Sequence, residues 1–405
     1  MADYNVLLLG NGFDLHHKFP TRYLDFLIVC HFLKEKYDFS MNTVGSVLQE
    51  ICKDEHKNLC ESYNAHKSIY DKTFLDKEAM RTLIEKAKQN IWFSYLYSCY
   101  NKDVGWIDFE NEIDKVVSVF KIIKNTQGKR YYQRLFGDDK FPYYCLGKFA
   151  YFHKEMNDGM GTRYYEVQPD FMLEDPPKSQ IMKIDFEKII DSLFAQLREL
   201  ADMLRIYLSL FVDNVTENLV KEKTSLANFP ASHVISFNYT NTAELLYNHK
   251  NNIAHIHGNT KNNIVLGINS DEYDEIRTNQ YEELSKIDVS FLKFKKYYQR
   301  ILLNSDAKYL QIKSIIHYNR DRSHHKMKLV VFGHSLDETD KDMIIDLFEL
   351  ADEITICSPN NDTISSHIRN LVKIFGKKGF ENLRYEKKLF FYKKEDVEWK
   401  NIDES

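Results

Sequence analysis

The sequence holds no cysteine pair at C-x-x-C spacing, no apolar run long enough to span a bilayer, no surplus of positive charge and no low-complexity tract. Each absence removes a class of protein. The six cysteines, Cys30, Cys52, Cys60, Cys99, Cys145 and Cys357, stand apart, which argues against a zinc ribbon. They read as reduced, mostly buried thiols of a cytoplasmic protein. A membrane helix needs about 20 consecutive apolar residues, and the first apolar run, NVLLLG at 5–10, also lacks the leading charge and cleavage site of a signal peptide. The net charge is -5 and the sequence pI about 6.3, so no overall basic field favours nucleic acid. Neither membrane nor nucleic acid is an expected partner. The local basic run KFKKYYQR at 293–300 reads as the wet face of a helix. His16, His17, His324 and His325 have no acids at ligand spacing, and no metal site is expected.

What the chain does contain is 405 residues, 48.1 kDa and an aromatic share of 14%, with 26 Tyr and 27 Phe. That is enough for one large domain or two ordinary ones, and it argues against long disordered stretches. Strand candidates are NVLLLG (5–10), HVISFNY (233–239), NIVLG (263–267), KLVVFG (328–333) and EITICS (353–358), with IAHIHG (253–258) weaker. Most are continuous apolar runs, which suit strands covered on both faces in a parallel sheet. Between the first two lies a long helical region. In 186–220, Phe186, Ile189, Ile190, Leu193, Phe194, Leu197, Leu200 and Leu204 recur at the period of one helix face. The segments 22–37, 77–100 and 108–124 repeat the pattern, and 125–180 reads as irregular. The expected organisation is an α/β core from 1–21 and 227–405, with a helical insertion lobe at 22–226.

In an open α/β sheet, ligands bind beyond the carboxyl ends of the strands. Those ends carry Gly10, Asn11, Gly12 and Asp14; Asn238, Tyr239, Thr240 and Asn241; His257 and Gly258; Gly267 and Asn269; and Gly333, His334, Ser335 and Asp337. Five small-and-polar ends at one rim suggest a nucleotide pocket. The G-x-G of the first loop lacks a third glycine, since Leu15 stands there, so a dinucleotide fingerprint is incomplete. Asn241 followed by Glu244 has the form of a capping box, which makes Asn241 structural. Asn238 precedes it, with its amide available either to a turn or to a ligand. His257 reads as a ligand group or a satisfied half-buried histidine, and His255 as packing.

At these residues the chain resembles a known family. LLGNGFDLHHKFPTRYLDFL, WIDFENEI (106–113), ISFNYTNT (235–242), HIHG with IVLGIN, and VVFGHSLDETD (331–340) together are similar to the bacteriophage abortive-infection AbiH family. The family in turn resembles a divergent sirtuin-like, Rossmann-like NAD-binding fold. That resemblance implies a glycine loop at Gly10 and Gly12 flanking a pyrophosphate, with Asn11, Asp14 and Gly258 nearby. It implies Asn238 and His257 acting on the nicotinamide ribose, and Gly333, Ser335 and Asp340 closing over the nucleotide. Thr240 stands where many sirtuin-like enzymes have an acid, and the four-cysteine module of the deacetylases is absent. A hydrolase of NAD is therefore expected ahead of a protein deacylase. An amide such as Asn238 could orient a ribose hydroxyl or water, and the imidazole of His257 could act as a base. Asp14 and Glu110 are further candidates, Glu110 being equally a helix-surface acid. No metal is required. The implied role is antiphage defence by NAD depletion, gated by homo-oligomerisation, by the helical lobe or by a phage-derived trigger. The alternatives are a non-catalytic module binding a nucleotide signal and a nuclease-type effector.

Overall fold

The computed structural model describes residues 4–54, 56–100, 107–127, 134–136, 146, 148–149, 151–152, 156–157, 163–173, 183–219, 231–247, 252–269, 275–276, 286–287, 289–323, 325–386 and 388–393. Cys145 and His324 lie outside the described residues. By compactness the chain divides into one unit of 1–81, 204–265 and 300–405, and a second of 82–203 and 266–299. The helices Tyr23–Lys36, Val44–Cys52 and Lys57–Tyr70 belong to the first unit.

The first unit is built on a six-stranded sheet. Its strands are β1 (Tyr4–Leu9), β2 (His233–Ser236), β3 (Ile253–His255), β4 (Met327–Phe332), β5 (Glu353–Ser358) and β6 (Leu389–Lys393). Every neighbouring pair is parallel, and the order across the sheet is β3-β2-β1-β4-β5-β6. This is the strand order of the doubly wound dinucleotide-binding fold, with its reversal between β1 and β4. The registers Leu9 with Phe332 and Leu9 with Ser236 bring the ends of β1, β2 and β4 to one level.

The continuous apolar runs have the expected cause. Val6, Leu7, Leu8 and Leu9 are all buried, so β1 is covered on both faces. Val6, Leu8, Ile235, Val331 and Ile356 share a core with Ile344 and Leu347 from the helix Lys341–Leu350. The run 263–267 departs from expectation. It is buried but is no strand: Val265 N–H donates to the His257 carbonyl at 2.8 Å, and Leu266 exchanges hydrogen bonds with the side chain of Gln299. β6 was not foreseen.

The helix Phe186–Leu208, which belongs to the second unit as far as Met203, places Ile189, Leu193, Leu197 and Leu200 in the core, and Trp92 donates its indole N–H to the Leu193 carbonyl at 2.9 Å. The stretch expected to be irregular contains short antiparallel pairings, Arg134–Phe136 and Met156–Asn157 on either side of Arg163–Glu166, and Met172–Leu173 with Lys183–Ile184. The basic run is no solvated face. Lys295, Lys296, Gln299 and Arg300 are each at most 3% exposed. Within the second unit Lys296 pairs with Glu110 at 2.7 Å, and within the first Arg300 pairs with Asp342. Burying a cation demands such a partner, which is why Glu110, 12% exposed at its side chain, is no ordinary surface acid.

Candidate functional site

The loops that leave β1 and β4 meet at the point where the strand order reverses, and they meet backbone to backbone. Gly12 N–H donates to the Gly333 carbonyl at 2.7 Å, and Gly10 N–H to the Phe332 carbonyl at 3.2 Å. A Cβ on Gly10 would lie 2.5 Å from His334 Cα, and one on Gly12 2.7 Å from Gly333 Cα. Gly333, at φ +71°, would set a Cβ 2.3 Å from the Phe13 nitrogen. The three glycines are therefore required by the chain itself. The close approach expected between this loop and a pyrophosphate is, in the structure, an approach to another loop. Gly258 (φ +73°) is likewise occupied by its own turn against Asn263. Asn11 is exposed and accepts from the Thr21 hydroxyl at 2.6 Å, and Ser335 is exposed, its carbonyl taken by Asn370.

Beside this interlock the polar residues of the β1, β2 and β3 ends turn inward. Asp14 sits in the short helix Gly12–His16 and is 1% exposed. Its Oδ2 accepts from the Thr240 hydroxyl at 2.7 Å, Thr240 accepts from Thr242 at 3.2 Å, and Oδ1 has no hydrogen-bond partner among the described residues. Burial pushes this carboxyl up from 3.8 to about 7, against the two threonine hydroxyls and His255 that favour its charge. Asn238, 6% exposed, is pinned by its backbone: its N–H donates to Ser236 Oγ at 3.1 Å and its carbonyl faces His255 Nδ1 at 3.1 Å. Its side-chain Oδ1 is also buried without a partner.

His255 is a polar residue of this network rather than packing. Its Nε2 meets Glu244 Oε1 at 2.6 Å, and the hydrogen bond holds the Glu244 carboxyl below the usual carboxylate range even though burial opposes it. The capping box expected of Asn241 and Glu244 does not form, because both partners are engaged elsewhere. The Asn241 N–H donates to Asp213 Oδ1 at 3.0 Å and its amide to Asp213 Oδ2 at 2.6 Å.

His257 lies just past β3, 3% exposed, with Nε2 3.3 Å from Asp340 Oδ1. The other Asp340 oxygen is 3.5 Å from His334 Nε2. His334 Nδ1 accepts from Leu336 N–H, so the proton of that ring resides on Nε2, towards Asp340. Phe237 packs edge-on against both imidazoles, its centroid 5.3 Å from that of His257 and 4.4 Å from that of His334. The structure thus brings Asp14, Asn238, His257, His334 and Asp340 to the same end of the sheet. No group of three metal-ligating side chains occurs among the described residues.

Asp213 was missed from sequence. It ends a π-helical turn, Ser209–Asp213, that follows the helix Phe186–Leu208; such turns interrupt helices frequently at functional sites. Its carboxyl accepts from Asn241 and from the Thr260 hydroxyl, joining the loops after β2 and β3. A cleft of about 500 Å³ opens here, with Asp76, Asp213, Glu217 and Lys261 among its walls. The helical pattern of 186–220 gave no sign of the extra residue in that turn.

A six-stranded parallel sheet with buried acid, amide and imidazole groups at its strand ends defines the class: an α/β protein of Rossmann-like fold. Within that class, the family described as bacteriophage abortive infection AbiH matches residues 6–357, and the chain belongs to it. Membership supports an antiphage abortive-infection role. No curated protein and no solved structure matches the chain significantly.

Proposed function

We infer that the protein aborts infection by hydrolysing NAD at the nicotinamide–ribose bond. The observation that carries this reading is the pair of buried, partnerless acceptors, Asn238 Oδ1 and Asp14 Oδ1, at the strand ends beside a carboxylate-supported His257. Buried polar atoms are almost always satisfied, and orphans ask for a ligand. These two are acceptors, and a sugar hydroxyl or a water supplies the donor they lack. Cleaving an N-glycosidic bond to a cationic ring generates an oxocarbenium-like sugar, which such oxygens favour. Asn238 orients the ribose or the attacking water without adding charge. Asp340 Oδ1, 3.3 Å from His257 Nε2, places a carboxylate beside the ring that favours the charge it gains on taking a proton from water.

Purified protein incubated with NAD should release nicotinamide and ADP-ribose. Asn238→Ala and His257→Ala should each lose this activity, cellular toxicity and phage protection while remaining folded. Because groups acting as one unit are not additive, the double variant should be scarcely worse than either single one. Protection without NAD loss would instead favour a module that binds a nucleotide signal. Sub-micromolar, salt-sensitive binding to DNA or RNA would favour the nuclease reading.

A further inference from the structure

Asp14 is the most buried acid at the strand ends, and its two oxygens differ in kind. Oδ2 is committed to Thr240, whereas Oδ1 is sealed from solvent with nothing to accept from. The groups that act on it from the elements around it are the hydroxyls of Thr240 and Thr242, the Asp213 carboxyl and the His255 imidazole. Among the described residues, no lysine or arginine pairs with Asp14. A phosphate offers only acceptor oxygens and negative charge, and would be repelled here. A ribose hydroxyl offers the proton that Oδ1 lacks, and a sugar that turns cationic supplies the missing countercharge.

We propose that Asp14 is a catalytic residue that binds a ribose hydroxyl of the nucleotide through Oδ1 and, when ionised, is the countercharge for the cationic sugar. This deepens the NAD reading and rests on it. As the C1′–N bond breaks, its electron pair passes to the ring nitrogen and nicotinamide leaves neutral. Positive charge spreads over C1′ and the ring oxygen, facing the Asp14 carboxylate in a site of low dielectric. Water then forms the C1′–O bond and gives up a proton to His257. Asp14 ends each turnover as it began. Thr240, ahead of Thr242 and His255, opposes the rise that burial imposes on this carboxyl, since its hydroxyl stabilises the charged form.

Turnover should therefore rise with pH along a limb whose midpoint lies near 7. Thr240→Val, which removes a hydrogen bond to the charged form, should move that midpoint up by about one pH unit or more. Asp14→Asn should abolish the limb and lower kcat by roughly 100-fold or more, the scale set by losing one preorganised electrostatic group. Carbon-13 titration of the Asp14 carboxyl reads the same group without turnover. ADP-ribose, which carries the ribose diol, should lower its midpoint, and inorganic pyrophosphate should not. If NAD is not cleaved but ADP-ribose still lowers the midpoint, the hydrolase reading fails and the ribose contact stands. A midpoint unmoved by ADP-ribose, or lowered equally by pyrophosphate, overturns the proposal. So does a pH limb that is unchanged in Thr240→Val.

Discussion

Asp213 holds Asn241 at two points: Oδ1 takes the backbone N–H at 3.0 Å and Oδ2 takes the side-chain amide at 2.6 Å. Asn241 is 1% exposed and Asp213 7%. One carboxyl at the end of a π-turn thus fixes the loop that carries Asn238 and Thr240.

Removing that carboxyl leaves buried donors unpaired. Asp213→Ala should destabilise the fold by about 2–4 kcal/mol, the cost of orphaning the Asn241 N–H, its amide and the Thr260 hydroxyl. Urea unfolding measures this directly. Asp213→Asn should cost less, because one oxygen still accepts. Equal midpoints for wild type and Asp213→Ala would show that the pair holds nothing.

The glycine interlock predicts a contrast. Gly10→Ala and Gly333→Ala place a carbon 2.3–2.5 Å from backbone atoms, and should each cost about 3 kcal/mol or more through forced displacement. Gly376 also has a positive φ, +69° with ψ 163°, a region essentially confined to glycine, but has nothing within 4 Å of its Cβ position. Gly376→Ala should cost about 1–3 kcal/mol, the conformational penalty alone. Thermal melts of the three variants decide between packing and backbone strain as the dominant cost.

Glu244→Gln weakens the grip on His255, and His255 in turn faces the Asn238 carbonyl. Under the hydrolase reading, kcat should fall about 10–100-fold, the range for residues that orient another catalytic group. KM should change little if only the Asn238 geometry is disturbed. A kcat unchanged in Glu244→Gln, in a protein of normal stability, would show that His255 does not position Asn238.

Asp14 and Asp25 give stability a definite slope. Burial raises them from 3.8 to about 7 and about 6. Each group's folded pKa lies above its unfolded one, so its contribution is fully present below about pH 4. It is lost as pH rises through 6 to 7. For Asp14 the amount is about 4 kcal/mol. Asp14→Asn should flatten this part of the pH–stability curve, measured by urea midpoints from pH 4 to 8. A wild-type curve that instead rises over this interval by the same amount, and is matched by Asp14→Asn, would contradict the burial argument.

Much of the sheet was legible because parallel strands covered on both faces leave continuous apolar runs, as in β1, β2, β4 and β5. β6 escaped because LFFYK is flanked by lysines and lies at the sheet edge, where Tyr392 and Lys393 are exposed. The run 263–267 misled because burial alone does not make a strand; Gln299 supplies by side chain what a neighbouring strand would supply by backbone. Asn238, His257 and Asp14 were readable as polar residues following apolar runs. Asp213 and the role of Glu244 were not, since partners far apart in sequence, such as Asp213 and Asn241, leave no local pattern.

The interlock of Gly12 with Gly333 also sets a schedule for synthesis. β1 is central in the sheet, yet its partners Val234 and Val330 are made more than two hundred and three hundred residues after Leu7. At roughly 5–20 residues per second on the ribosome, β1 waits on the order of tens of seconds for β4. Until then the Asp14 loop has no Gly333 to close against. Pairings so far apart in sequence form late, so the strand ends that carry Asp14, Asn238 and His257 are brought together only after most of the chain has been made.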